Sequence, residues 1–230
     1  MFSVSVAEIK GRHGSSGAIS PAPVDQFMEV MGRASLVATA FHYHKDEEIF
    51  GEDEPTEFVY QVVRGAVRTY KLLSDGRRQI GSFHVAGDIF GLEYGAAHRL
   101  TAEALIETDV RLVRRRSLET AANQDAQVAR SLWNVTAGEL RHAEDHMLLL
   151  GCKMAIEKVA AFLLEMDSRL VAAGLVELPM CRRDIGDYLG LTLETVSRAL
   201  AQLHDQGVLD FSGARQIVIR NRQRLRDLNS

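Results

Sequence analysis

The stretch "PMCRRDIGDYLGLTLETVSRALAQL", residues 179–203, reads as two short helices around a tight turn. Thr192 is a good N-cap for the second helix, and Glu194 in its first turn suits the positive end of a helix. Leu193, Val196, Leu200 and Leu203 fall on one face and are expected to anchor that helix to its domain. Glu194, Ser197 and Arg198, at i, i+3 and i+4, share the opposite face near the helix start. Just downstream, "GVLDFSGARQIVIR" (207–220) is strand, turn and strand, with Ser212 and Gly213 at the tip. Helix, turn, helix and a two-stranded wing make a winged helix-turn-helix. In such modules the N-terminal end of the second helix enters the major groove of DNA. Arg198 can donate two bonds to guanine O6 and N7, Glu194 can accept from cytosine N4, and Ser197 can contact several bases. The competing reading is a solvated face with an internal Glu–Arg pair, common at this spacing.

Charge favours the first reading only locally. The 230 residues carry a net −4; residues 151–230 hold 11 Lys+Arg against 10 Asp+Glu, and the remainder is −5. The C-terminal arginines nevertheless bunch, at 182, 183, 198, 215, 220, 222, 224 and 226. Phosphate binding needs a local basic patch, not a basic protein.

Upstream, the pattern changes twice. Residues 1–24 are rich in Gly, Ser and Ala, with Pro21 and Pro23, and read as a flexible tail. "VDQFMEVMGRASL" (24–36) could form a short helix. From Ala38 to Arg116 apolar and polar residues alternate between glycines, with a hairpin signal in "SDGR" (74–77), which predicts an antiparallel β-roll or small barrel over 25–121. From Asp125 to about Leu150 helix formers dominate. Trp133, Thr136, Leu140, Ala143, Met147 and Leu150 are spaced 3, 4, 3, 4, 3, the seam of a coiled coil, so 122–150 is expected to be a dimerisation helix. The alternative is that this stripe packs on the chain's own barrel. His142 and His146 are expected on its polar flank. "CKMAIEKVAAFLLEMDSRLVAA" (152–173) is a second amphipathic helix, on which Cys152 reads as an inert core thiol. The chain is thus α+β: a β-roll, a long helix, and a winged helix-turn-helix over 151–230.

Composition excludes several classes. With 46% hydrophobic and 25% charged residues the chain reads as globular, and no apolar run approaches the roughly 18 residues of a membrane helix. The N-terminus places Lys10 and Arg12 where a signal peptide needs an apolar core, so a cytoplasmic protein is expected. Two distant cysteines, Cys152 and Cys181, encode neither a disulfide framework nor a cysteine metal site. No Walker loop, GxGxxG fingerprint or nucleophile elbow occurs, and an enzyme is not expected. One motif competes. "FHYHKDEE" (41–48) offers His42, His44 and Glu48 with the spacing of metal-binding cupins, and His42 and His44 would share one strand face. Leu36 stands where the cupin glycine belongs and no second motif follows, so surface histidines, with no metal or cofactor, are expected instead.

"DIGDYLGLTLETVSRAL" (184–200), the roll string "GDIFGLEYG" (87–95), and the order roll, long helix, winged helix resemble the CRP/FNR superfamily over residues 26–226. The fold implied is a cyclic-nucleotide-binding-like jelly roll followed by the dimerisation helix and the reader. The E-x-x-S-R triad at Glu194, Ser197 and Arg198 resembles the FNR and FixK branch, which implies a homodimer on double-stranded DNA palindromes of the TTGAT-N4-ATCAA kind, recruiting RNA polymerase. Arg182, Arg183, Thr192 and Thr195, at the two helix starts, are implied on the DNA backbone. The turn with Asp75, Arg77 and Arg78 matches one that touches RNA polymerase in relatives. Residues 1–40 contain no cysteine, which argues against an FNR-type iron–sulfur cluster. Leu92 after Gly91, and Leu100 after Arg99, replace the Glu and Ser of a cAMP clamp. These departures point to a FixK-type regulator, a branch tied to low oxygen and nitrogen fixation that needs no effector; the alternative is gating by an unidentified small molecule. Cys181 stands where relatives have a Ser or Thr cap, with Asp184 placed to complete a capping box. A thiol there beside Arg182 and Arg183 is expected to be reactive, and its oxidation would add charge or bulk against the DNA backbone.

Overall fold

Residues 39–114 form eight strands: β1 (Thr39–Tyr43), β2 (Glu48–Phe50), β3 (Phe58–Arg64), β4 (Ala66–Leu72), β5 (Arg78–Val85), β6 (Ile89–Phe90), β7 (Thr101–Ala104) and β8 (Thr108–Arg114). They make two four-stranded antiparallel sheets, ordered β1-β8-β3-β6 and β2-β7-β4-β5. The computed structural model describes residues 38–93, 95–170, 175–213 and 215–229; the tail expected at 1–24 and the helix at 24–36 lie outside them. Between the sheets Phe50, Tyr60, Val62, Val67, Phe90, Ala102 and Val110 are buried together, the jelly-roll core that the alternation predicts. The β4–β5 hairpin turns at Asp75 and Gly76, where the Asp75 carboxylate accepts from the Arg77 backbone N–H at 3.0 Å.

A helix that the alternation did not announce follows directly. α1 (Arg115–Gln124) has no side-chain cap, and it folds because Leu118 and Ala121 pack on Val59, Ile89 and Val113 of the roll. α2 (Ala126–Cys152) starts four residues later than the expected dimerisation helix, at Asp125, whose carboxylate accepts from Gln127 N–H at 2.7 Å. The helix is interrupted at Lys153 and Met154, which are both extended. α3 (Ala155–Arg169) then begins with Glu157 accepting from the Met154 N–H at 2.8 Å. The amphipathic helix predicted over 152–173 is therefore shorter at both described ends, and Cys152 is exposed at the end of α2, not in a core.

The C-terminal lobe comprises β9 (Leu175–Glu177), α4 (Arg182–Leu189), α5 (Leu193–Asp205), β10 (Leu209–Phe211), β11 (Gln216–Ile219) and α6 (Arg222–Asn229). The wing gains a third strand, ordered β10-β11-β9. Gly190 ends α4 in the left-handed region (φ 63°), and Leu191 N–H returns to Gly186 O at 2.9 Å. At Gly186 a Cβ would stand 2.6 Å from Leu191 O, so the turn between the helices closes only over glycine.

The two lobes share one apolar cluster. Ile80, Phe83, Val85 and Leu105 of the roll pack with Phe162, Leu163, Tyr188, Leu189 and the reader's core. Phe83 sits 5.0 Å from Tyr188 and 6.2 Å from Phe162, ring to ring. Beside this cluster the β4–β5 hairpin grips α4. Asp184 Oδ1 accepts from Arg68 Nη1 at 3.0 Å and from Arg78 Nη2 at 2.6 Å, and Asp187 takes a forked contact from Arg78. Arg68 is almost fully buried and also pairs with Glu103 and Asp46. Gln79 Nε2 adds a bond to Asp187 O at 2.7 Å.

Candidate nucleic-acid interface

Capping positions the reader. Thr192 Oγ1 accepts from Thr195 N–H at 3.2 Å and starts α5, while Val196, Ala199, Leu200 and Leu203 fix its inner face. Glu194 and Arg198 project from the outer face and are exposed, and Ser197 is half-buried between them. Leu193, expected among the anchors, instead lies 38% exposed on the first turn. It precedes the first inward-facing position, so the helix presents an apolar contact beside its polar ones.

The side chains are pre-arranged. Arg198 Nη2 donates to Thr195 Oγ1 at 3.1 Å, and Thr195 Oγ1 lies 3.1 Å from Thr192 Oγ1, so cap and reader form one chain of bonds. The Glu194 carboxyl is held below the usual carboxylate range, first by its own backbone N–H and the Thr192 hydroxyl, then by Arg198 and Arg183. Arg182 Nη1 stands 3.4 Å from Ser197 Oγ, with its guanidinium 5.6 Å over the Phe211 ring of the wing. Phe211 in turn stacks 5.5 Å from His204. Arg183 is exposed beside it. The structure thus brings Arg182, Arg183, Thr192, Thr195, Glu194, Ser197 and Arg198 onto one surface. Phe211, which orients Arg182 by a cation–π contact, carried no local signal beyond being an exposed aromatic at the wing.

Not every bunched arginine belongs to that surface. Arg222 is clamped to Asp167 by bonds of 2.6 and 2.8 Å, joining α6 to α3, and Arg220 pairs with Asp210 at 3.2 Å. The basic patch is accordingly smaller than the count of arginines suggested. Arg78 is a second correction: its side chain turns inward to Asp184 and Asp187, so only Asp75 and Arg77 remain at the exposed turn. Cys181 caps α4 through a capping box, with its backbone N–H donating to Asp184 Oδ2 at 3.0 Å. Its half-buried side chain therefore lies against a carboxylate that is itself tied to Arg68 and Arg78.

On α2, Trp133, Leu140 and Met147 are 73%, 61% and 65% exposed, an apolar line that nothing in the described chain covers. Thr136 and Ala143 are exposed as well but border a cavity shared with the roll. Leu150 departs from the expected seam: it is half-buried and lies near Gly190 of the reader. His142 and His146 also turn inward. His146 stacks 4.0 Å from Tyr188, and burial pushes its pKa down.

The cavity, about 370 Å³, lies between the roll and α2, lined by Thr69, Ser82, His84, Leu92, Leu100 and Glu139 among others. Leu92 and Leu100 occupy its wall, Arg99 is exposed, and among the described lining residues there is no Arg or Lys to meet a phosphate. His84 within it is buried, and burial pushes its pKa down to about 4. The cupin set does not form: His42 and His44 gather around Glu107, whereas Glu48 sits on β2 opposite Glu103.

Comparisons with known proteins agree with this architecture. Residues 40–125 match the cyclic nucleotide-binding domain family and residues 157–228 the Crp-like helix-turn-helix domain family. The chain is 44% identical over 201 residues to the nitrogen fixation regulation protein FixK of Azorhizobium caulinodans, covering 85% of this chain and 81% of that one. It is 39% identical over 210 residues to its namesake in Rhizobium meliloti, covering 91% and 92%. The solved structure of FixK2 from Bradyrhizobium japonicum is similar with a TM-score of 0.83 and 75% identity, covering 85% of this chain and 98% of that one. No helix among the described residues is long and apolar enough to cross a membrane.

Proposed function

The chain belongs to the CRP/FNR family as a FixK-type transcription regulator with a DNA-binding helix-turn-helix, not an enzyme, and from that premise we propose that it binds TTGAT-N4-ATCAA-type palindromes as an effector-independent homodimer. The observation that carries this reading is the exposed face of α5, where Glu194, Ser197 and Arg198 stand on a Thr192-capped first turn. Arg198 reads guanine, Glu194 the amino group of cytosine, and Ser197 an adjoining base, while Arg182, Arg183, Thr192 and Thr195 take the phosphates. Pairing through Trp133, Leu140 and Met147, with Thr136 and Ala143 alongside, sets two readers about one turn of DNA apart. Asp75 and Arg77 at the β4–β5 turn offer an exposed contact for RNA polymerase.

Effector independence is supported by a cavity whose described lining carries no cation for a nucleotide phosphate. The grip of Arg68 and Arg78 on Asp184 meanwhile ties the reader directly to the roll. The same cavity favours a second reading, gating by an uncharged or weakly polar small molecule. Cys181 supplies an off-switch. Oxidation by peroxide to a sulfinic or sulfonic acid places negative charge against Asp184 and the approaching phosphates. A gel shift on the TTGAT-N4-ATCAA duplex tests these points together. Binding is expected without cAMP and unchanged by it; peroxide is expected to abolish binding by the wild type and spare Cys181→Ser. Equal loss in both proteins would refute the thiol switch, and no shift without an added ligand would favour gating.

A further inference from the structure

We propose that His42, His44 and Glu107 form a binding site for a divalent transition-metal ion of the zinc class, with Asp109 as its positioning residue. Strand geometry assembles the set. His42 lies in β1 with His44 one residue past its end, and Asp109 lies in β8 with Glu107 one residue before its start. β1 and β8 pair antiparallel with His42 opposite Asp109 and Tyr43 opposite Thr108, so the four side chains make a two-by-two patch on one face. Three donor atoms converge. Glu107 Oε2 lies 2.9 Å from His42 Nε2 and 3.1 Å from His44 Nδ1, and all three candidate ligand atoms fall within 4.8 Å of one another. An ion with bonds of about 2.0–2.1 Å to such donors separates them by about 3.3 Å in a tetrahedron, so the Glu107–histidine spacings are within a few tenths of an ångström of what it needs, and rotation of the exposed imidazoles closes the rest.

The surroundings match what metal sites use to orient histidine. His42 Nδ1 lies 2.7 Å from Asp109 Oδ1, and Arg64 Nε donates to Asp109 Oδ2 at 2.9 Å. A carboxylate taking one ring N–H leaves the other ring nitrogen free to ligate. Glu107 is presented by a rigid turn, for Thr108 is fully buried with its hydroxyl bonded to Ala66 O at 3.1 Å and Ile106 O at 2.7 Å. Opposite it, Lys45 N–H reaches Glu107 Oε1 at 3.3 Å, and His44 N–H donates to Glu47 Oε2 at 2.7 Å. The three ligands are exposed, so a hydrated ion can enter and keep at least one water. Two imidazoles with one carboxylate select zinc, nickel or copper over magnesium and calcium. Because β1 is an edge strand, the ion would fasten it to the β7–β8 turn.

Titration of the metal-free full chain with ZnCl2 by calorimetry, with MgCl2 as control, tests the site. One zinc per chain and no magnesium are expected, with a rise in melting temperature on zinc addition. His42→Ala/His44→Ala should abolish the stoichiometric binding. Asp109→Asn should weaken it about 10–100-fold, the effect of losing an orienting carboxylate. Cys152→Ser, at an exposed thiol elsewhere, should bind as the wild type does. Because His42, His44 and Cys152 are exposed and Asp109→Asn keeps the shape of a half-buried side chain, the variants should keep the wild-type circular dichroism and operator binding. Unchanged zinc binding in the double variant, loss of binding in Cys152→Ser, or no zinc uptake by the wild type at micromolar concentration would each overturn the assignment.

Discussion

Replacing Asp184 with Ala should loosen the whole molecule, not one helix. Its Oδ1 receives Arg68 and Arg78 of the roll, and its Oδ2 receives the Cys181 N–H that starts α4. Asp184 is 4% exposed and Arg68 8%, so water cannot replace the lost partner. Removing Asp184 takes one partner from each arginine and the acceptor from the Cys181 N–H, while Arg68 keeps Glu103 and Asp46 and Arg78 keeps Asp187, so the loss should be about 1–3 kcal/mol. In a double-mutant cycle with Arg68→Met the coupling should be about 1–3 kcal/mol. The sign with pH follows from the same contacts. Burial pushes the Asp184 pKa up, but hydrogen bonds from Cys181 and the charges of Arg68 and Arg78 hold it below the usual carboxylate range. A depressed folded pKa stabilises above the unfolded value near 4 and is lost as pH falls through the folded one. The difference between wild type and Asp184→Ala should therefore be complete at pH 7 and shrink only in strong acid. Urea unfolding followed by circular dichroism, at fixed protein concentration because assembly shifts midpoints, measures it. A loss below about 0.5 kcal/mol at pH 7, or strict additivity with Arg68→Met, would refute the idea that these ions hold the lobes together.

Arg198→Ala should relax selection at the guanine position and cost about 1–3 kcal/mol in operator affinity, read by competition gel shifts with substituted duplexes. Arg182→Ala should weaken all sequences alike and lower the salt slope of binding by about 1. Leu140→Glu combined with Met147→Glu should give a folded monomer in sedimentation, with operator binding lost, since the line they interrupt is exposed in the single chain. His84 stays neutral in the fold with its pKa pushed down to about 4 by burial. Its unfolded form takes up a proton near 6.5, so stability falls with pH below that value, by about 2 kcal/mol between pH 7 and 5. Urea midpoints of the wild type should show that loss, and those of His84→Gln should not.

Local chemistry was legible from sequence, and long-range pairing was not. The Asp75–Gly76 hairpin, the Thr192 cap and the Cys181–Asp184 box lie within a few residues of their partners, so short patterns encode them. The buried face of α5 was likewise readable, apart from Leu193. Arg78 looked like a loop cation because nothing nearby in sequence announces Asp184, 106 residues away. Glu107 is 63 residues from His44, which made Glu48 the apparent third ligand. α1 carries no local sequence signature because tertiary packing of Leu118 and Ala121, not a cap, stabilises it. Leu150 and the two α2 histidines face the reader for a related reason: heptad spacing gives the stripe but not where its end meets another lobe.

The shared aromatic cluster also bears on how such regulators can be recombined. The roll and the reader are separable by eye in the sequence, yet Phe83 belongs to one and Phe162 and Tyr188 to the other, and the three are buried together in one cluster. A reader transplanted onto a foreign roll arrives with half of a mould and presents Tyr188 to a wall cast for different side chains. Substitutions at these positions are therefore expected to couple across the lobe boundary. A chimera that keeps Ile80, Phe83, Arg68 and Arg78 with their reader inherits a working joint, whereas one cut at the obvious sequence boundary does not.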